Sequence, residues 1–359
     1  MLFYMPTKLY SEADCVEKHR KEIATFGTKA MIVTGRNSAR RNGSLQDLED
    51  ALKAEGVSYI VFDEVEENPS IETVMKAREI GVCEKVDFVI GIGGGSPLDA
   101  SKAIALMIAN PNDGEEILYC AVKKPCLPVV CIPTTCGTGS EVTPYSILTI
   151  HKQRTKKSIS HKIFPELALL DIKYLKSLNR EGIVNTAVDA LGHLLESYLN
   201  TNANVWNQVY SREGFIVWGQ IRDCFEKDEL SDEDYEKLFR ASSLAGMAIS
   251  HTGTSLPHGL SYALTYELGI PHGRAVGYYL AGFVSSYKDA KEVQTVLELL
   301  GFESVEAFVT YMKNLLGDME VSKEVNELSA AKVSEDSGKL KNYPFEVTKE
   351  EIINMAGTK

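Results

Sequence analysis

The sequence contains no run of apolar residues approaching the roughly 18 that a membrane-crossing helix requires, so no transmembrane segment and no membrane partner are expected. An excess of positive charge is also lacking. The 38 lysines and arginines face 50 aspartates and glutamates, and the formal charge of −12 argues against nucleic acid as a partner, because neutralising phosphates takes clustered basic side chains. Cysteine is sparse and odd in number, seven in all, which fits reduced thiols better than a disulfide framework. Cys120, Cys126, Cys131 and Cys136 cluster, but without the C-x-x-C pairs of a structural zinc site. Cys131 lies in the apolar run LPVVCIP, which reads as a buried strand, so these cysteines read as small apolar core residues. The N-terminal stretch MLFYMPTKLYSEADCVEKHR has no basic segment leading to a small-residue cleavage site; no signal peptide is expected, and the cytoplasm is the default location. Internal repeats and low-complexity segments are absent as well.

What is present is the composition of a soluble globular protein, 44% hydrophobic and 25% charged, on 359 residues, a length that suggests two domains or a little more. After a short extended N-terminal piece, Ser11 to Phe26 reads as a helix. KAMIVTG (29–35) reads as a buried parallel strand, Leu45 to Glu55 as a helix, SYIVFDE (58–64) as a strand, Ile71 to Gly81 as a helix and Val86 to Gly91 as a third strand. This alternation is the βαβ signature of a parallel sheet with helices on both faces. It places junctions at Gly35, Asn68 and Gly93 on one carboxyl edge, where open α/β folds bind ligands. From about Asn179 the texture changes to long amphipathic segments without a convincing strand. Helix starts are signalled by Ser231 with Asp234 and by Thr348 with Glu351, and NTNANVWNQ (200–208) reads as a loop between helices. The expected architecture is an α/β domain over 1–178 that binds a dinucleotide, followed by an all-helical domain over 179–359.

GIGGGSPLD (91–99) follows a strand and opens a helix, so its glycines let the backbone approach a pyrophosphate at a helix N-terminus. A tight strand-to-helix connection would look the same. The sixth position is Ser96 and the loop follows the third strand, so the segment is not the Rossmann fingerprint. PTTCGTGSEVTP (133–144) is a second loop rich in hydroxyls, in which Thr134, Thr135, Thr138 and Ser140 could donate to phosphate or ribose oxygens. Two such loops at one sheet edge make a dinucleotide the leading ligand. The first strand ends in Gly35, Arg36, Asn37 and Ser38 with no carboxylate to accept from a ribose 2′-hydroxyl, which favours NADP(H) over NAD(H) unless Arg36 is merely a solvated residue.

The stretch GTSLPHGLSYALTYELGIPHG (253–273) carries His258 and His272 in an apolar setting, where unpaired imidazoles are costly to bury. A break near Gly269 and Pro271 would fold the chain back and bring the two rings together. In TAVDALGHLLESYL (186–199), Asp189, His193 and Glu196 fall on one face of an apolar helix, and Asp189 with His193 at i, i+4 can chelate one ion; an internal Asp–His hydrogen bond would satisfy the pair equally well. One carboxylate and three imidazoles suit Fe²⁺, Zn²⁺, Co²⁺ or Ni²⁺ and leave room for a substrate oxygen.

GGGSPLDASKA, PTTCGTGSEVTPYSI, VDALGHLLESY and the pair LPHG and IPHG resemble the iron-containing, or group III, alcohol dehydrogenase family over nearly the whole chain, and look closest to its butanol and 1,3-propanediol dehydrogenase-like branch. The resemblance implies a dinucleotide-binding α/β domain and a helical domain, in the fold shared with dehydroquinate synthase, with the active site in the cleft between them. It implies that Asp189, His193, His258 and His272 hold Fe²⁺, with Zn²⁺ as the other candidate. Cofactor contacts are implied from Gly94, Gly95, Ser96, Asp99, Thr134, Thr135, Thr138 and Asn68, and from a lysine near the SIS segment, taken as Lys157. Relatives often have a proton-relaying histidine four residues after the ligand matching His258. Tyr262 stands there, which opens a path through Tyr262, ribose or water. Another departure, Asp171-Ile172 where many members have Asp-Pro, concerns a connection. Many NAD-using members have Asp at the position of Gly35, so the comparison also leans to NADP(H). The expected activity is reversible oxidation of a small primary alcohol to an aldehyde by a homodimer. The alternatives are a glycerol-type polyol dehydrogenase, a dehydroquinate synthase-like elimination, and a non-catalytic dinucleotide or metal sensor, which the complete ligand set argues against.

Overall fold

The computed structural model describes residues 3–227 and 229–356. They form two compact units. Residues 4–135 with 139–178 make the first, and the chain from Asn179 onward, joined by Phe3 and Cys136–Thr138, makes the second. The excursion at Cys136 leaves no trace in composition, and it separates Thr138 from Thr134 and Thr135 within one hydroxyl-rich loop.

The α/β unit is built on a six-stranded sheet of β1 (Lys8–Ser11), β2 (Lys29–Thr34), β3 (Ser58–Phe62), β4 (Phe88–Gly93), β5 (Val129–Pro133) and, beyond an antiparallel hairpin of β6 (Ile147–Ile150) and β7 (Thr155–Ser158), β8 (Leu167–Leu170). The order β1-β8-β5-β4-β2-β3 is parallel throughout. Inner parallel strands are covered on both faces and must be apolar along their length, which β4, β5 and β8 satisfy with every residue buried. Along β2, Ala30 and Ile32 join the core of α1 (Ser44–Ala54), while Met31 and Val33 join that of α2 (Ile71–Cys83) and α3 (Gly95–Ala109). The edge strands β1 and β3 are only partly covered.

Several elements depart from the sequence reading. The N-terminal extended piece is itself a sheet strand, β1, so KAMIVTG is the second strand. The helix expected over Ser11–Phe26 breaks into the short turns Cys15–Lys18, Arg20–Ile23 and Ala24–Phe26. Asp14 is left-handed (φ 56°), with its N–H held 2.6 Å from the Asp171 carboxylate, and this delays the start. His19 interrupts the run, its ring taken by Glu12 at 2.8 Å and stacked on Tyr10. β4 runs to Gly93 rather than Gly91, and β6, β7 and β8 had no counterpart in the reading.

Strand β2 has β3 on one side and β4 on the other, so the loops leaving β2 and β4 part company there, the topological switch point of an open sheet. At that edge Gly93 adopts φ 146°, and a Cβ would stand 2.7 Å from Pro97, so only glycine turns the chain into α3. The following loop is pinned from beneath. Lys102, on α3 and wholly buried, donates to Ser140 O (2.7 Å), Ser140 Oγ (2.8 Å), Thr143 O (2.9 Å) and Tyr145 O (2.8 Å). Burial pushes its ammonium pKa down, with Asp99 opposing. Four acceptors on one cation fix the 140–145 backbone.

The second unit is helical among its described residues: α4 (Arg180–Tyr198), α5 (Val205–Ile221), α6 (Asp232–Thr252), α7 (Leu256–Leu268), α8 (His272–Ser286), α9 (Ala290–Leu300), α10 (Val305–Leu316), α11 (Lys323–Glu335) and α12 (Lys349–Asn354), with short turns between. Capping boxes open α6 at Ser231 and Asp234 and α12 at Thr348 and Glu351. The stretch taken as a loop over 200–208 ends early, because Asn204 caps α5 in a third box with Asn207. Between α7 and α8 the chain reverses through Gly269 (φ 65°) and Pro271, as the break in the pattern suggested. None of the described helices is long and apolar enough to cross a membrane.

Replacing Lys102 with Met removes the ammonium that donates to three carbonyls of the 140–145 backbone. Urea unfolding is expected to show a loss of about 3–5 kcal/mol from the α/β unit, whereas an exposed lysine such as Lys85 changed to Met should register within about 0.5 kcal/mol.

Candidate active site

Helix α4 carries Asp189, His193 and Glu196 on one line, buried to 3%, 5% and 0% exposure among Val188, Leu191, Leu194 and Leu195. Glycines let the partner helices close on it. A Cβ at Gly192 would meet Val276 at 2.6 Å, and one at Gly273 would meet the Asn185 carbonyl oxygen at 1.7 Å. The backbone of the first turn of α8 therefore lies directly against α4, which brings His272 to within 3.7 Å (Nε2) of Asp189 Oδ1. His258, on the first turn of α7, reaches the same oxygen with Nε2 at 3.3 Å. Suitable ligand atoms of Asp189, His258 and His272 all lie within 4.8 Å of one another.

Asp189 Oδ1 and His258 Nε2 are buried and face each other without the alignment of a hydrogen bond. Two orphaned polar atoms at this spacing fit a shared cation, since tetrahedral ligands about 2.1 Å from an ion stand roughly 3.4 Å apart. His193 stacks on His258 with ring centroids 4.3 Å apart, and its Nδ1–H donates to Gly137 O at 3.3 Å, a hydrogen bond that leaves Nε2 as the lone-pair nitrogen. His272 is the most open of the set, its side chain 26% exposed and its ring stacked on Tyr262 at 6.1 Å. An ammonium, Lys339 Nζ, lies over the other partner of that stack, 5.4 Å from the Tyr262 ring centre.

The electrostatics follow from burial beside opposite charge. Burial opposes ionisation of Asp189, but His193, His272 and His258 outweigh it and hold the carboxyl below the usual range. Burial, joined by His258, holds His193 down to about 4. His258 goes the other way, to about 9, because Glu196 and Asp189 overcome its desolvation. Glu196 was on the polar face read from sequence but had no role there. It accepts from Ser255 N, from His258 N at 3.2 Å and from His258 Nδ1, so one buried carboxylate caps α7 and orients its histidine.

At the carboxyl edge of the α/β unit, Gly94, Gly95 and Ser96 are partly exposed at the N-terminus of α3, which has no side-chain cap. Gly94 packs against Thr135, and Thr134 N donates to Gly93 O at 2.9 Å, so the two loops abut. Ser96 Oγ accepts from Asn68 N at 3.0 Å, and Asn68 itself is left-handed (φ 60°). Gly35, Arg36, Asn37 and Ser38 lie just beyond β2, with Arg36 and Asn37 exposed.

Two nominated residues stand differently from the reading. The Asp99 carboxylate is engaged by Ser140 Oγ (2.5 Å) and Ile147 N (2.8 Å), which makes it a brace for the loops. Lys157 is exposed, its ammonium 5.2 Å from the Tyr119 ring centre, while its neighbour Lys156 is buried and donates to Asn68 Oδ1 at 2.6 Å. Successive residues of β7 point to opposite faces, and it is Lys156 that reaches the loop carrying Asn68. No hairpin was foreseen, so the choice between the two lysines had no basis in sequence. Lys156→Met is expected to weaken dinucleotide binding at least about tenfold in a fluorescence titration, and Lys157→Met to leave it within about twofold.

Residues 6–172 match the family model for iron-containing alcohol dehydrogenase, and residues 183–356 match the C-terminal model of the Fe-containing alcohol dehydrogenase family. The NADPH-dependent butanol dehydrogenase of Clostridium saccharobutylicum is 27% identical over 340 residues, covering 91% of this chain and 86% of that one. The crystal structure of an iron-containing alcohol dehydrogenase from Thermotoga maritima is 40% identical, with a TM-score of 0.91 over 99% of this chain and 98% of that one. A sulfoacetaldehyde reductase from Bifidobacterium kashiwanohense, solved with NAD⁺, is 27% identical with a TM-score of 0.86 over 99% and 98% of the two chains. With both halves matched, and with a buried carboxylate and histidines gathered at orphaned ligand atoms, the chain belongs to the iron-containing alcohol dehydrogenase family, metal-dependent oxidoreductases of alcohols and aldehydes.

Proposed function

We propose that this protein reversibly oxidises a small primary alcohol to its aldehyde with NADP(H), using an Fe²⁺ ion held by Asp189, His193, His258 and His272. The observation that carries this reading is the meeting of Asp189 Oδ1, His258 and His272 within 4.8 Å, with Asp189 Oδ1 and His258 Nε2 orphaned in a buried setting. A bound divalent ion supplies Lewis acidity towards an alcohol or carbonyl oxygen, and the nicotinamide supplies the hydride exchange.

The chain's own residues prepare the rest. Asp189 stays ionised, the Nδ1–H of His193 is held by Gly137 O, and Glu196 turns His258 so that Nε2 faces the site. His272, partly exposed, marks the side open to substrate, and the proton path runs through Tyr262, whose ring lies 6.1 Å from that of His272, or through ribose or water. For the coenzyme, Asn68, Gly94, Gly95, Ser96, Thr134, Thr135, Thr138 and Lys156 are the assigned contacts. The preference for NADP(H) rests on the absence of a carboxylate over Gly35–Ser38 and on exposed Arg36. Homodimer formation is carried over from the family resemblance, and the cytoplasm is kept as the default location.

Absorbance at 340 nm with a panel of primary alcohols, glycerol and aldehydes, run with both coenzymes, tests the activity; no turnover with any of them would overturn it. His272→Ala is expected to lose bound metal and to lower kcat/KM by more than about 100-fold, and full metal content with undiminished turnover would remove His272 from the site. A Cβ at Gly35 would meet only Val65 O, at an ordinary 3.4 Å, so a side chain fits there. Gly35→Asp is therefore expected to shift the NADPH-to-NADH ratio of kcat/KM at least about tenfold towards NADH by repelling a 2′-phosphate. A wild-type preference for NADH would overturn the coenzyme assignment.

A further inference from the structure

We infer that Glu196 is the positioning residue of the metal site: its carboxylate sets the tautomer and direction of His258, and through them the affinity for the ion. The inference rests on His258 being a ligand, as proposed above. Glu196 is wholly buried and reaches His258 Nδ1, His258 N at 3.2 Å and Ser255 N. An imidazole whose Nδ1–H is taken by a carboxylate presents the Nε2 lone pair, and His258 Nε2 is the atom that stands 3.3 Å from Asp189 Oδ1 without a hydrogen bond. The same carboxylate holds the two main-chain N–H groups at the start of α7. The ring is thereby fixed at both ends, by its backbone and by its far nitrogen.

The geometry also explains why a carboxylate stands here. Three N–H donors converge on two oxygens in a site closed to water, and the three form a backbone-plus-ring claw that a single carbonyl oxygen cannot fill. A Gln side chain offers one oxygen and turns an NH₂ group towards at least one of these donors. It would free either the His258 ring or the Ser255 amide, and freeing the ring lets Nδ1 and Nε2 exchange roles. The charge matters as well: an anionic partner raises the donor strength of the imidazole towards a cation.

The test uses the full-length protein stripped of metal and titrated with Zn²⁺ against a chelating indicator. Wild type, His258→Ala, Glu196→Gln and Glu196→Asp are compared. Weakening by His258→Ala establishes the ligand on which the inference depends; unchanged affinity in that variant would overturn the ligand assignment instead, and with it this inference. Given that weakening, Glu196→Gln is expected to bind Zn²⁺ about 10–100-fold more weakly. Wild-type affinity in a Glu196→Gln protein that unfolds at the wild-type temperature without metal would overturn the positioning role. Glu196→Asp, which keeps the charge on a shorter arm, is expected to fall between wild type and Gln; binding as weak as in Gln would rule out the part assigned to charge.

A second measurement does not depend on any variant folding. In the Zn²⁺-loaded wild type, ¹⁵N-resolved imidazole spectra are expected to show His258 protonated at Nδ1, with that proton far downfield and slow to exchange. A proton on Nε2 would overturn the inference outright.

Discussion

A carboxylate oxygen sealed from water without a hydrogen bond is unfavourable unless a cation stands beside it, and the helical unit is arranged around one such atom, Asp189 Oδ1. Its neighbours follow from that constraint. The imidazoles of His258 and His272 stand against it, and the helices bearing them come close enough because Gly192 and Gly273 have no side chain. The rings need fixed directions, which Gly137 O gives to His193 and Glu196 gives to His258. The long apolar helix α4 keeps water from competing, since the residues flanking the polar line are buried.

The α/β unit holds a buried charge of a different kind. Lys102 is as deeply enclosed as Asp189, yet its ammonium has four oxygen acceptors among residues 140–145. A buried charge whose partners are all supplied by protein is a fastener. Asp189 Oδ1 faces His258 Nε2 at 3.3 Å without a hydrogen bond, a spacing that fits a shared cation. Lys102 and Asp99 brace the loops, and Asn68, Ser96 and Lys156 form a linked polar edge beside them.

Most of this was legible where the physics is local. Asp189, His193 and Glu196 could be placed on one face because the helical period is fixed, and the reversal at Gly269 and Pro271 because both residues interrupt a helix for known steric reasons. Buried strands announced themselves through unbroken apolar runs such as KAMIVT. Several of the departures share a cause, which is that contacts distant in the chain decide them. LALL is too short to be told from a core segment until it lies between β1 and β5. Lys156 and Lys157 could not be told apart because facing in a strand depends on a hairpin register that no local pattern carries. Ser11–Phe26 has helical composition, and a carboxylate 157 residues away, on Asp171, holds the turn that delays it.

The contact of Gly273 with the Asn185 carbonyl oxygen makes the spacing between α4 and α8, and with it the dimensions of the proposed metal site, a property of main chain. Rotamer changes can re-aim a ring, but they cannot move α8 along α4, because there is no side chain at the contact to exchange for a larger or smaller one. A site framed in this way has a nearly constant bite, so divalent ions of similar radius enter it alike. Which ion occupies it is then decided by the donor atoms and by what the surroundings supply.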